Sequence, residues 1–159
     1  MKNAFYVLCL LLVLRVTALA APDSDFSGTW VDQSPMESKM FVTQTESALL
    51  VKYSRTPVQK EYIIDGIERK MSADVGGGIF YTAKWDGPAL VIDESASIKT
   101  PFGTASNRIS RQVWSLSGDG KILTISTTSQ DSKGETEIAV MQVYDKADND
   151  SHGAGHPGW

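Results

Sequence analysis

Short runs rich in valine, isoleucine, threonine, tyrosine and tryptophan recur along most of this chain, and turn signals bound many of them. Asp-Gly stands between apolar runs at Asp65-Gly66, Asp86-Gly87 and Asp119-Gly120. An Asp-Gly pair favours a two-residue hairpin, in which both central residues take φ above zero. No window after residue 20 shows apolar residues at helical spacing with caps. The sequence therefore predicts an all-β protein whose successive strands pair antiparallel.

The same runs predict about ten strands, close to the limit for an open and strongly twisted sheet. Closure removes the exposed edges, so we expect a single antiparallel up-and-down β-barrel of about 8–10 strands. A two-sheet sandwich is the alternative that patterning leaves open. The predicted strands are Gly28–Val31, Met40–Thr45, Ala48–Tyr53, Lys60–Ile64, Ile67–Ser72, Ile79–Trp85, Ala89–Asp93, Arg108–Leu116, Ile122–Thr128 and Thr136–Tyr144.

The two ends of the chain differ from the middle. Residues 1–20 carry Lys2, an apolar run and a small-x-small site at Ala18-Leu19-Ala20, which is typical of a cleaved signal peptide. The apolar run is shorter than the ~20 residues of a spanning helix, so we expect no integral membrane segment in the mature chain. We expect a barrel domain over 21–146 and a disordered tail over 147–159, in a periplasmic or secreted protein.

Cysteine content and charge restrict the function classes. Cys9 is the only cysteine and lies within the signal, so the mature domain must rely on core packing without disulfides. Removing residues 1–20 takes away two of the 15 basic residues and leaves 13 against 19 acidic ones, a net charge of −6. No basic cluster appears, which excludes a nucleic-acid surface.

The chain offers little for catalysis or metal binding. Its two histidines, His152 and His156, both lie in the predicted tail, and a flexible peptide lacks the outer shell that makes a metal site tight. Glu135 and Glu137 share one strand face, which is typical of a solvated barrel surface. We therefore predict no enzyme, no metal site and no cofactor.

Aromatic residues are the better candidates for function. Tyr81 and Trp85 share one face of a predicted strand, and Trp114 lies on another. Small barrels fill with such side chains, whereas slightly larger ones hold one ligand. Arg108 and Arg111 fall on opposite faces, and an inward arginine must be paired or meet an anion. Tyr81, Trp85, Trp114 and Arg111 are thus our candidate ligand-binding residues, and a filled core with both arginines at the rim is the alternative.

A longer connection is predicted between Ser95 and Asn107. Its apolar Ile98 and Phe102 are placed to fold over a barrel mouth as a lid. An ordinary surface loop is the alternative.

Gly28-Thr29-Trp30 resembles the Gly-x-Trp signature of lipocalins and related calycin barrels. The resemblance implies that Trp30 closes the barrel base and that a cation near the last strand packs on it. Lys146 stands at the matching place, so Gly28, Trp30 and Lys146 are the expected closure residues.

An ordered set of motifs from residue 26 to residue 146 also resembles a group of small exported bacterial lipocalin-like proteins. The resemblance implies an exported barrel that binds a small apolar or amphipathic molecule. The alternative is a structural or interaction module of the cell envelope with a filled core. The motifs are Phe26-Ser27-Gly28-Thr29-Trp30, Tyr62-x-x-Asp65-Gly66, Ala83-Lys84-Trp85-Asp86-Gly87, Trp114-Ser115-Leu116-Ser117, Asp119-Gly120 and Val143-Tyr144-Asp145-Lys146.

Overall fold

The computed structural model describes residues 24–35, 37–71, 78–99, 105–130 and 139–147, with the backbone alone at 98–99 and 105–107. These residues form ten strands and no helix, which confirms the all-β prediction. The predicted signal peptide and nearly all of the predicted tail lie outside the described residues. The strands are β1 (Gly28–Asp32), β2 (Lys39–Gln44), β3 (Ala48–Tyr53), β4 (Gln59–Ile63), β5 (Arg69–Met71), β6 (Ile79–Asp86), β7 (Ala89–Lys99), β8 (Ala105–Leu116), β9 (Ile122–Gln130) and β10 (Val140–Lys146).

All ten strands belong to one antiparallel sheet in the order β4-β3-β2-β1-β10-β9-β8-β7-β6-β5. The first and last strands pair, with Trp30 opposite Lys146 and Asp32 opposite Tyr144. This pairing curls the meander into a nearly closed up-and-down barrel, as predicted, rather than a two-sheet sandwich. The strands at the two ends of the order, β4 and β5, share no described ladder.

Alternation of buried and exposed residues orients the barrel wall. In β2, Met40 and Val42 are buried while Phe41 between them is exposed, and β6 buries Tyr81 and Ala83 between more exposed neighbours. Because successive side chains in a strand point to opposite faces, one face of each strand supplies the interior. The buried core cluster is Phe26, Trp30, Met40, Val42, Leu49, Val51, Tyr62, Tyr81, Ala83, Leu90, Ile92, Trp114, Leu123, Ile125 and Tyr144.

The Asp-Gly turns differ from the prediction in one respect. Gly66, Gly87 and Gly120 take φ of 73°, 60° and 69°, but the aspartate before each does not take a positive φ. The expectation that both residues would do so is wrong. Asp86 pairs with Ala89, so the two-residue loop of that hairpin is Gly87-Pro88, which suits a type II′ turn with glycine first. Asp65-Gly66 is not a hairpin turn, because β4 and β5 do not pair.

The predicted connection from Ser95 to Asn107 is largely strand. The pairing of β7 with β8 continues through this region, from Ser95↔Ile109 to Lys99↔Ala105. Ile98 therefore lies in β7 and not in a lid, and Phe102 lies outside the described residues.

Candidate functional site

The base of the barrel is filled by an aromatic cluster around Phe26. Phe26 and Trp30 are completely buried, and the Trp30 indole Nε1–H donates to the Phe26 carbonyl at 2.9 Å. The ring of Phe26 stacks on Trp85 at 5.8 Å between centroids and meets Trp114 edge-on at 6.0 Å. Offset or edge contacts of this kind are the arrangements that aromatic pairs favour.

Lys146 lies against the Trp30 ring, with Nζ 5.3 Å from the ring centroid. The antiparallel β1–β10 pair puts the two residues opposite each other. Gly28 allows this approach, because its φ is +145° and a Cβ there would lie 3.0 Å from Lys146 Cε. The three residues expected from the resemblance at the barrel closure are thus brought together by the pairing of the chain's first and last strands.

Above the aromatic base, a polar cluster faces the interior. Glu94 Oε1 accepts a hydrogen bond from the Tyr62 hydroxyl at 2.6 Å and another from Lys60 Nζ at 2.9 Å. The side chains of Lys60 and Glu94 are only 25% and 13% exposed. Burial raises the pKa of Tyr62, and the Glu94 carboxylate raises it further. Tyr62 is therefore a neutral donor to a charged acceptor, the stronger class of hydrogen bond.

Two more tyrosines border this cluster. The Tyr81 hydroxyl accepts a hydrogen bond from the Ile63 backbone N–H at 3.1 Å, and its ring meets Tyr62 edge-on at 5.3 Å. Burial raises the pKa of Tyr53, and Glu94 adds to the rise. Tyrosine hydroxyls and the Glu94 carboxylate thus form a polar layer above the aromatic base.

A cleft opens at the end of the barrel opposite the aromatic base, where β1 and β3 end and β4 begins; we call it the mouth cleft. Its volume is about 480 Å³. Tyr53 and Asp32 belong to the inward faces of their strands, because each is two residues from a buried one. The lining residues are Asp32, Ser34, Ser38, Tyr53, Arg55, Thr56 and Val58.

A second cleft lies in the barrel wall between β4 and β5; we call it the side cleft. Its volume is about 290 Å³. It follows the line along which these two strands fail to pair, and Tyr81 closes it toward the interior. The lining residues are Gln59, Glu61, Ile63, Lys70, Met71 and Tyr81.

The four candidate ligand-binding residues do not form one site. Tyr81 borders the polar layer and the side cleft, while Trp85 and Trp114 pack at the base and line neither cleft. Arg111 lies on the outer face, with its side chain 55% exposed and its Nε 3.8 Å from Asp93 Oδ1. Arg111 and the buried Trp114 are three residues apart on β8, so their side chains point to opposite faces of the strand.

Sequence analysis overlooked Glu94, Lys60 and Tyr53. One signal was present: Glu94 follows the buried Leu90 and Ile92 in the same alternating phase, which indicates an inward carboxylate. Because a buried carboxylate needs polar partners, the inward position of Glu94 in this alternation indicates that other polar groups lie in the interior.

Among the described residues, no group of three or more histidine, cysteine, aspartate or glutamate side chains is placed to hold a metal ion. The same part of the chain contains no helix long and apolar enough to cross a membrane. Glu135, Glu137, His152 and His156 lie outside the described residues.

Comparison with known proteins gives a distant likeness to a solved structure. No protein-family model matches this sequence, and no curated protein matches it. The crystal structure of secretory abundant heat soluble protein 4 from Ramazzottius varieornatus is similar at 16% identity and a TM-score of 0.47, covering 79% of this chain and 100% of that one. A likeness this distant carries no argument about function. The resemblance to lipocalin-like exported proteins stays a prediction.

Proposed function

We propose that this protein is an exported, non-catalytic barrel that binds one small amphipathic molecule in the mouth cleft. The observation that carries the proposal is the cleft of about 480 Å³ at the open end of the barrel. This volume lies within the roughly 300–1,000 Å³ typical of small-molecule pockets. Export rests on the signal-like residues 1–20 of the sequence.

The lining of the mouth cleft favours an amphipathic ligand. Val58 and the ring of Tyr53 supply apolar wall, whereas Asp32, Ser34 and Arg55 supply polar groups. Asp32 is held in place, because its Oδ1 accepts a hydrogen bond from the Ser34 backbone N–H at 2.8 Å. A few fixed polar groups in an apolar wall orient a ligand and give it specificity.

Titration with anilinonaphthalene sulfonate, an amphipathic fluorescent probe, tests the proposal. We expect saturable binding at one probe per chain and at least tenfold weaker binding to Val58→Asp, because the charge enters the apolar wall. Ile67→Asp is the matched control, since Ile67 is 59% exposed and does not line the cleft. Its affinity should equal that of the unmodified protein.

The filled base favours a second candidate, a structural or interaction module of the cell envelope. The ring of Phe26 contacts Trp85 and Trp114, and its carbonyl accepts the hydrogen bond of Trp30, so aromatic side chains occupy that part of the interior. Absence of saturable probe binding, together with no copurifying small molecule in native mass spectrometry, would replace ligand binding with this role.

A further inference from the structure

Along one line, between β4 with the residues that follow it on one side and β5 and β6 on the other, no backbone ladder is described; we call this line the seam. The backbone contacts described across it both involve Ala83: Ile64 forms a bridge with it, and the Gly66 N–H donates to its carbonyl at 2.9 Å. On β4, Ile64 N–H donates to the Ser47 carbonyl, so by alternation the backbone groups of Gln59, Glu61 and Ile63 face the seam. The ladder that holds every other pair of neighbouring strands is missing here.

The side-chain contacts described across the seam converge on two residues. Glu94 of β7 accepts the hydrogen bonds of Tyr62 and Lys60 from β4. Tyr81 of β6 accepts that of the Ile63 N–H. Strand β4 is therefore held to β6 and β7, on the other side of the seam, through the Glu94 carboxylate and the Tyr81 phenol. Both side chains lie on the inner face of the sheet.

The same residues separate the two clefts. Tyr53 lines the mouth cleft, Tyr81 lines the side cleft, and Tyr62 with Glu94 lies between them.

We propose that the seam is a lateral gate, which Glu94 and Tyr81 hold shut and whose local opening exposes the barrel interior through the side cleft. Opening there breaks three side-chain hydrogen bonds and the backbone contacts at Ala83, whereas separating any other neighbouring pair of strands breaks a continuous backbone ladder. Locally weak regions open independently of global unfolding. The gate is a property of the closed barrel and holds whether or not the mouth cleft binds a ligand.

Hydrogen exchange of backbone amides tests the gate without any ligand. In Glu94→Gln we expect the Ile63 amide, which faces the seam, to exchange at least tenfold faster. The amides of Lys60 and Tyr62, which face β3, and those of β8 and β9 should be unchanged. Asp93→Asn is the matched control, because the adjacent Asp93 lies on the outer face and pairs only loosely with Arg111. It should leave exchange in β4 unchanged.

Tyr81→Phe provides an independent arm, since it removes only the acceptor of the Ile63 N–H. We expect faster exchange confined to β4, and this variant decides the question if Glu94→Gln does not fold. Equal acceleration in all strands, or no acceleration in β4, would overturn the gate. Acceleration confined to β4 in these variants but absent from Asp93→Asn supports it.

Discussion

Trp30 combines three roles in one side chain. Its ring is completely buried, its indole N–H is bonded to Phe26, and its face carries Lys146. Burying an indole N–H without a hydrogen-bond partner would destabilise the folded state. The Phe26 carbonyl therefore contributes to stability alongside the apolar contacts of the ring. The cation adds about 0.5–2 kcal/mol, depending on its exposure.

Trp30→Ala should lower the free energy of unfolding by ~3–5 kcal/mol, the usual loss for a large aromatic removed from a core. Phe41→Ala, on the outer face of the adjacent strand and 43% exposed before the change, should cost less than about 1 kcal/mol. Urea unfolding measures both. Similar losses would mean that Trp30 does not fill the base of the barrel.

Tyr62 makes stability sensitive to alkaline pH. Its pKa is raised in the folded state by burial and by Glu94, against about 10 in the unfolded chain. The folded state therefore favours the neutral phenol, and this contribution is complete below pH 10. It is lost as the pH rises above 10, at up to about 1.4 kcal/mol per pH unit.

The corresponding measurement is the urea midpoint between pH 8 and pH 11. We expect it to fall above pH 10, and to fall less steeply in Tyr62→Phe. Tyr144, whose pKa is raised by burial first and then by Tyr53 and Asp32, maintains part of the slope in both proteins. An unchanged slope in Tyr62→Phe would contradict the assignment.

The candidate site was only partly predictable at this scale. Strand parity placed Arg108 and Arg111 on opposite faces, but it did not say which face was inner, so Arg111 was grouped with Trp114 although it lies on the outer face. Pairing partners of Glu94 come from β4, more than 30 residues earlier in the chain. No local pattern contains that contact.

Strand β1 depends on its first residue. Gly28 has a φ of +145°, a conformation that L side chains rarely adopt, and it lies under the Lys146 side chain. Gly28 thus allows the backbone angle at which β1 begins, and its missing side chain leaves room for Lys146. The prediction of Gly28 came from a family resemblance, whereas the reason for it lies in this backbone angle.

Gly28→Ala should destabilise the protein by about 1–3 kcal/mol, the usual strain of a side chain in this region of φ. Gly118→Ala is the control, because a Cβ there meets nothing within 4 Å and its φ is ordinary. Thermal unfolding of both variants, alone and combined with Lys146→Ala, separates strain from contact. If Lys146→Ala fully rescued Gly28→Ala, the cause would be crowding and not the backbone.

The described strands form a meander in which only β4 and β5, among consecutive strands, do not pair. Ala147 N–H donates to the Thr29 carbonyl at 2.8 Å, so the end of β10 lies beside β1. The chain passes from β4 to β5 without forming a hairpin. The barrel therefore tolerates a change of chain ends better at that junction than in a paired turn.

A circular permutant tests this arrangement. Joining Ala147 to Ser24 with a short glycine-serine linker and opening the chain between Ile67 and Glu68 should preserve the barrel. Opening between Gly87 and Pro88 should lower the free energy of unfolding by roughly 2–4 kcal/mol more. The reason is that β6 and β7, now joined by a two-residue loop, would then have to pair across a much longer stretch of chain. Far-UV circular dichroism and urea unfolding compare the two, and equal stabilities would contradict the unpaired junction.

Local sequence determined that the described part of the chain forms ten strands with alternating faces, because side-chain alternation and turn chemistry act over a few residues. Ala48–Tyr53 and the start of β6 at Ile79 were predicted at their observed bounds. Only the tertiary structure decided that β1 meets β10, that β4 and β5 stay apart, and that Trp85 and Trp114 fill the base while Glu94 faces Tyr62. These features depend on how a twisted sheet closes on itself, which brings together residues that no short stretch of sequence relates.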